Sequence, residues 1–127
     1  MALSMGAAGE VMAARFLREK GYDIVGVNVR TRFGEIDMIA QKDSYLVFVE
    51  VKTRSEDALY EPREAVTDAK QSRILKTAAL YLRAHPTDLQ PRFDVIEVFT
   101  GEGDPLTPKA VDHIENAFEA GDLHAAF

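Results

Sequence analysis

The chain has 127 residues, 46% of them hydrophobic and 28% charged, with no cysteine and a net charge of −6. That length suits one domain spanning residues 1–127 with a modest core. The absence of cysteine excludes disulfides, thiolate zinc sites and a cysteine nucleophile, and no apolar run approaches a membrane span. The acidity is uneven. Residues 1–92 hold 14 Lys/Arg against 13 Asp/Glu, whereas residues 93–127 hold Lys109 against 8 acids. Charge therefore allows phosphate binding by the first part without requiring it. No basic-then-apolar leader opens the sequence, so the cytoplasm is the default compartment and no membrane partner is expected.

Residues 6–20 read as a helix. On a 100° wheel Met5, Met12, Ala13, Phe16 and Leu17 share one face, and Arg15, Arg18 and Glu19 point away. Glu10 falls at the edge of the apolar face, and Gly21 ends the helix after Lys20. Three strands are predicted next, at Ile24–Arg30, Glu35–Gln41 and Tyr45–Thr53. Gly34 and Lys42-Asp43-Ser44 supply the turns of a two-hairpin meander. The third run, continuous in β-branched and aromatic residues, reads as a central strand covered on both faces. Residues 55–66 read as an irregular loop.

Residues 67–84 form the strongest helix, capped by Thr67 or Asp68 and stopped by Pro86. Ile74, Leu75, Ala78, Ala79 and Leu82 make its apolar face. Arg92–Phe99 reads as a fourth strand, parallel to an earlier one because a helix precedes it. Ala110–Phe118 reads as a short closing helix, with Val111, Ile114 and Phe118 packing back. The order is αβββαβ with a mixed central sheet flanked by helices, an α/β domain with its core at about 6–118 and an acidic tail at 119–127.

The chemistry lies where charge interrupts apolar strands. Asp37 is followed by twelve residues and then Glu50-Val51-Lys52. A carboxylate and an ammonium inside Val-Phe-Val-Glu-Val-Lys are costly to bury unless paired or bound to a metal. Strand alternation puts Glu35 and Asp37 on one face and Glu50 and Lys52 on one face. Paired strands would let Asp37 and Glu50 converge on one hard cation, with the Val51 carbonyl as a further oxygen ligand. An all-oxygen donor set without a histidine pair favours Mg2+ or Mn2+. Such a cation polarises a phosphoryl group and acidifies an attacking water. Lys52 could orient or deprotonate that water, and Glu10 could complete the site or serve a second ion. Glu35 is an additional acid that the geometry permits and does not require. The bland alternative is a set of surface charges at strand ends.

Arg30, Arg32 and Arg54 flank this site, and Lys70 and Arg73 stand near the start of the second helix; all five are candidate phosphate contacts. Lys76 and Arg83 read rather as solvated helix surface. Tyr60 could stack on a base. His85 suits a helix C-terminus, and His113 and His124 carry no catalytic reading either.

Taken in order, Gly6-x-x-Gly9-Glu10-x-x-Ala13, Asn28-x-Arg30, Gly34-Glu35-Ile36-Asp37, Val47-Phe48-Val49-Glu50-Val51-Lys52-Thr53-Arg54, Lys70-x-x-Arg73 and Arg92-Phe93-Asp94-Val95 resemble the successive motifs of the YraN-like family. This bacterial group is placed in the restriction-endonuclease-like superfamily and is similar to archaeal Holliday-junction resolvases. The resemblance runs from about Gly6 to Phe118. It implies the PD-(D/E)xK nuclease fold, a restriction-endonuclease-like αβββαβ core, with Glu10, Asp37, Glu50 and Lys52 as the nuclease site. Ile36 stands where the motif usually has proline. The implied activity is metal-dependent hydrolysis of phosphodiesters in DNA, including branched DNA. The alternative is a catalytically silent module that binds nucleic acid or protein on the same scaffold. A homodimer suits so small a chain on a duplex, and the related resolvases are dimers, but no residue marks an interface.

Overall fold

A computed structural model describes residues 4–57, 66–101, 103–104 and 106–119. Tyr60, His124 and most of the acidic tail lie outside these. The elements are α1 (Met5–Glu19), β1 (Asp23–Thr31), β2 (Gly34–Lys42), β3 (Tyr45–Ser55), α2 (Asp68–Ala84), β4 (Gln90–Thr100) and β5 (Ala110–Ile114).

Both helix ends are built from local chemistry. Ser4 caps α1 by accepting from the Ala7 amide. At the other end Gly21, at φ +91°, lets its own amide reach Arg18 O and the Tyr22 amide reach Leu17 O. This left-handed closure satisfies two orphan carbonyls and is inexpensive only for glycine. Thr67 caps α2 through the Lys70 amide, and the helix stops two residues before Pro86.

The sheet runs β1-β2-β3-β4-β5. The first three strands form the expected meander: Arg32-Phe33 turns β1 into β2, closed by Thr31 and Gly34, and Asp43-Ser44 turns β2 into β3, closed by Lys42 and Tyr45. β4 lies parallel to β3 in unbroken register from Tyr45–Gln90 to Ser55–Thr100, as a strand reached through a helical crossover should. β3 is therefore central, and Leu46 to Val49 are all buried.

The helices cover opposite faces. Met12, Ala13 and Leu17 of α1 pack on Met38, Ala40, Val47, Val49, Ile96 and Val98. Ile74 and Ala78 of α2 pack on Ile36, Ile39, Leu46, Phe48 and Phe93. No described helix is long and apolar enough to cross a membrane.

One expected element is different. The segment predicted as a closing helix, Ala110–Phe118, is instead strand β5 over Ala110–Ile114, antiparallel to β4. The spacing of Val111, Ile114 and Phe118 mimics one helical face. The outer edge of β4, however, presents unpaired amides and carbonyls that a strand satisfies and a helix cannot. Phe118 still packs inward, stacked on Phe93 with ring centroids 5.2 Å apart.

Candidate functional site

Asp37 sits where the sheet comes apart. Its neighbour Met38 pairs with both Val27 and Val49; on the β1 side the same register goes on at Val29–Ile36, whereas on the β3 side no pair is made beyond Met38–Val49. Continuing the β2–β3 register by one step would set Asp37 against Glu50. Instead the strands part, and the Asp37 carboxylate accepts the Val51 amide at 2.8 Å. Across β2, Asn28 takes a left-handed φ of 47°. The parted strands open a cleft of about 270 Å³ lined by Gly34, Glu35, Asp37, Glu50, Lys70, Arg73 and Ile74.

Helix α1 brings the fourth acid close. Gly9 is pressed against β3 so tightly that a Cβ there would collide with Thr53 Oγ1. This contact sets the half-buried Glu10 near the parted strands. Burial pushes the Asp37 carboxyl from 3.8 up to about 7, and the charges of Glu50, Glu10 and Glu35 push the same way. The Val51 amide opposes them. Glu10, Glu35, Asp37 and Glu50 thus form one electrostatic group, although they come from three elements.

The other candidates divide by partner. Glu50 is held by Lys70 at 2.5 Å, with its side chain 12% exposed. Glu35 is held by Arg30 at 3.0 Å. Arg54 is drawn inward to Glu97 at 2.6 Å, and the Glu97 side chain is only 2% exposed. Lys52 is half-buried, stands in register beside Glu97, and makes no ion pair with another described residue. Arg32 and Arg73 are exposed. Among the described residues no three His, Asp or Glu side chains are grouped to cage a cation as they lie. Asp37 and Glu50 are turned toward Val51 and Lys70.

A profile of the uncharacterised protein family UPF0102 matches residues 9–98. The UPF0102 protein of Symbiobacterium thermophilum is 49% identical over 121 residues, 94% of this chain and the whole of that protein. The chain belongs to UPF0102. The UPF0102 protein of Syntrophomonas wolfei is 42% identical over 90% of this chain and 96% of its own length. That of Caldanaerobacter subterraneus is 44% identical over 91% and 94%. The resemblance to the YraN-like family holds at this level. The UPF0102 match spans all four acids, Lys52, Lys70 and Arg73, and ends within β4.

This UPF0102 chain also carries a second buried polar group that sequence reasoning missed. Asp94 of β4 accepts from Arg92 Nε at 2.9 Å, from Arg92 Nη2 at 2.8 Å and from the Asn116 amide at 2.9 Å. It also accepts from His113 Nε2 at 2.7 Å. Lys20 donates to His113 Nδ1 at 2.7 Å, which fixes a neutral imidazole with its proton on Nε2. Arg92 donates onward to Tyr22 Oη at 2.7 Å. Burial pushes Asp94 up, but the hydrogen bonds from His113, Arg92 and Asn116 together hold its carboxyl below 3.8. The group ties the end of α1 and strand β5 to β4, on the sheet face opposite the cleft. His113 is thus a structural partner with a buried side chain, carried by strand β5 and not by the helix expected over Ala110–Phe118. Glu97 carried a usable signal, a lone acid in Val-Ile-Glu-Val-Phe. His113 carried none, because Lys20 lies 93 residues away in sequence.

Proposed function

We propose that this UPF0102 protein is a Mg2+- or Mn2+-dependent nuclease of the restriction-endonuclease-like, PD-(D/E)xK type, hydrolysing phosphodiesters in DNA and suited to branched DNA. The observation that carries the reading is the parting of β2 and β3 at Asp37, which opens a cleft lined by Glu35, Asp37 and Glu50. Strands part inside a sheet at a cost in ladder hydrogen bonds, and acids gathered in the gap repel one another. Both costs make sense for a site that receives a cation.

The donor set fits a hard divalent ion. It is all oxygen, it holds surplus negative charge, and Asp37 is pushed up to about 7 in part by its like-charged neighbours. Asp37, Glu50 and the Val51 carbonyl would hold the ion, with Glu50 exchanging its Lys70 partner for it. Glu10 completes the acidic group, and Glu35 remains on Arg30. When bound, the ion supplies Lewis acidity toward a phosphoryl oxygen. Lys52 would orient the attacking water and stabilise the charge that gathers on the phosphate. Lys70, released from Glu50, meets the phosphate. Two copies of the chain would present one such cleft to each strand of a duplex.

The second reading is a binding module without turnover. It is favoured by the Lys70–Glu50 pair, which occupies a carboxylate that the ion would need. Labelled linear, nicked, flapped and four-way DNA incubated with Mg2+ or Mn2+ separates the two. The nuclease reading expects metal-dependent cleavage lost in both Glu50→Ala and Lys52→Ala. Cleavage that persists in both variants overturns it.

A further inference from the structure

The cations around the cleft fall into two sets. Arg30, Arg54 and Lys70 are each matched with a carboxylate: Glu35, Glu97 and Glu50. Arg32, Arg73 and Lys76 pair with no described carboxylate. Two of these are held by a ring instead. Arg32 Cζ lies 4.9 Å and Lys76 Nζ 5.6 Å from the centroid of Phe33. A carboxylate partner cancels a cation's charge, whereas an uncharged ring holds it in place and leaves the charge available to an external anion.

The ring's own position is fixed. Phe33 lies in the two-residue turn between β1 and β2, and its amide donates to Thr31 Oγ1 at 3.1 Å. Thr31 Oγ1 lies 3.1 Å from Thr77 Oγ1, and Thr77 of α2 is wholly buried. The turn is therefore pinned to the helix that carries Arg73 and Lys76. The next residue, Gly34, packs against Arg73, whose Cβ would lie 3.6 Å from a Cβ at Gly34. Both Gly34 and Arg73 line the acidic cleft. The cationic group thus abuts the site without being neutralised by it.

We propose that Arg32 and Lys76, held on the Phe33 ring, together with Arg73 beside Gly34, form a phosphate-backbone subsite that seats the nucleic-acid strand leading into the cleft. The proposal rests on the reading of that cleft as a phosphodiester site. A strand with a charge at every step can engage several fixed cations in succession. The subsite reads no bases and so favours no sequence. It adds Lys76 and Phe33 to the binding surface and sets Arg30 and Arg54 aside as internally paired.

The test is fluorescence anisotropy with a labelled single-stranded DNA and its duplex in EDTA, where metal-dependent cleavage is silent, across a salt series. Arg32→Gln/Lys76→Gln should weaken binding on the order of tenfold and reduce the salt slope by about 1.4, two phosphates' worth for a single strand. Arg15→Gln/Arg18→Gln, an equal charge change at two exposed positions of α1, should stay within about twofold of wild type. Phe33→Leu should fall between, and Phe33→Tyr, which keeps the ring face, should match wild type. Circular dichroism checks that each variant folds, and the charge variants suffice if Phe33→Leu does not. An unchanged slope in the double variant overturns the proposal. So does equal competition by polyglutamate, which would mark an acidic-peptide surface. If cleavage occurs and the double variant binds normally, the subsite fails while the nuclease reading stands. If binding is lost as expected and no substrate is ever cut, the subsite stands without the nuclease.

Discussion

Replacing Asp37 by Asn removes a charge that the fold resists and keeps an oxygen for the Val51 amide. A carboxyl raised from 3.8 to about 7 corresponds to roughly 4 kcal/mol set against ionisation. The side chain is partly exposed, so solvent screening reduces this to about 2 kcal/mol. The sign follows from proton counting. Between about pH 4 and 7 the folded chain keeps a proton that the unfolded chain has released, so stability falls as pH rises through this window. Above pH 7 the penalty is complete, and below pH 4 it is absent. Asp37→Asn should therefore melt about 6–10 °C above wild type at pH 8 and close to wild type at pH 4, as followed by circular dichroism. Manganese should reverse the order at pH 8 by raising the wild type and leaving the variant unmoved. A variant that melts no higher than wild type at pH 8, or gains equally at pH 4, refutes the electrostatic account of the cleft.

Asp94→Ala strands Arg92 in the interior and should cost about 3–5 kcal/mol in chemical denaturation, as breaking a buried ion pair does. Because the Asp94 carboxyl is held below its ordinary value, its contribution is present above about pH 4 and lost as pH falls through its folded pKa. An acid titration of stability should flatten in Asp94→Asn, and an unchanged acid limb would count against the assignment. Gly9→Ala should destabilise by about 1–3 kcal/mol through overpacking against Thr53, and Thr53→Ala should relieve it in a double-mutant cycle. Additive losses would mean that the helix approaches β3 less closely.

The sequence carried the meander well, because Val25, Val27 and Val29, then Met38 and Ala40, then Val47 to Val51 keep a clear strand pattern between turn residues. The parallel placement of β4 followed from the helix before it. β5 escaped because Val111, Ile114 and Phe118 fit a helical period as well as a strand, and only the open edge of β4 decides between them. The grouping of the acids was legible from charge interrupting apolar runs. The way each acid is held was not, since Lys70, Arg30 and the Val51 amide become partners only once α2 and the hairpins are packed. Lys76 was set aside as ordinary helix surface because Phe33, its neighbour in space, is 43 positions earlier.

The parallel register of β3 and β4 joins residues 45 apart in sequence, whereas the Asp37–Val51 contact spans 14. Closing the longer loop costs about 1 kcal/mol more in chain entropy, and non-local pairing slows folding. Loop closure alone gives an expected order of assembly, which the folding phases of Asp37→Asn would check. The hairpins that bring Asp37 beside Val51 close first, while the chain is still open to water and the acids are cheaply solvated. Their desolvation waits until the crossover through α2 delivers Lys70 and docks β4. The repulsion among the acids is thereby postponed to the last and most cooperative step, when the rest of the sheet is present to hold them.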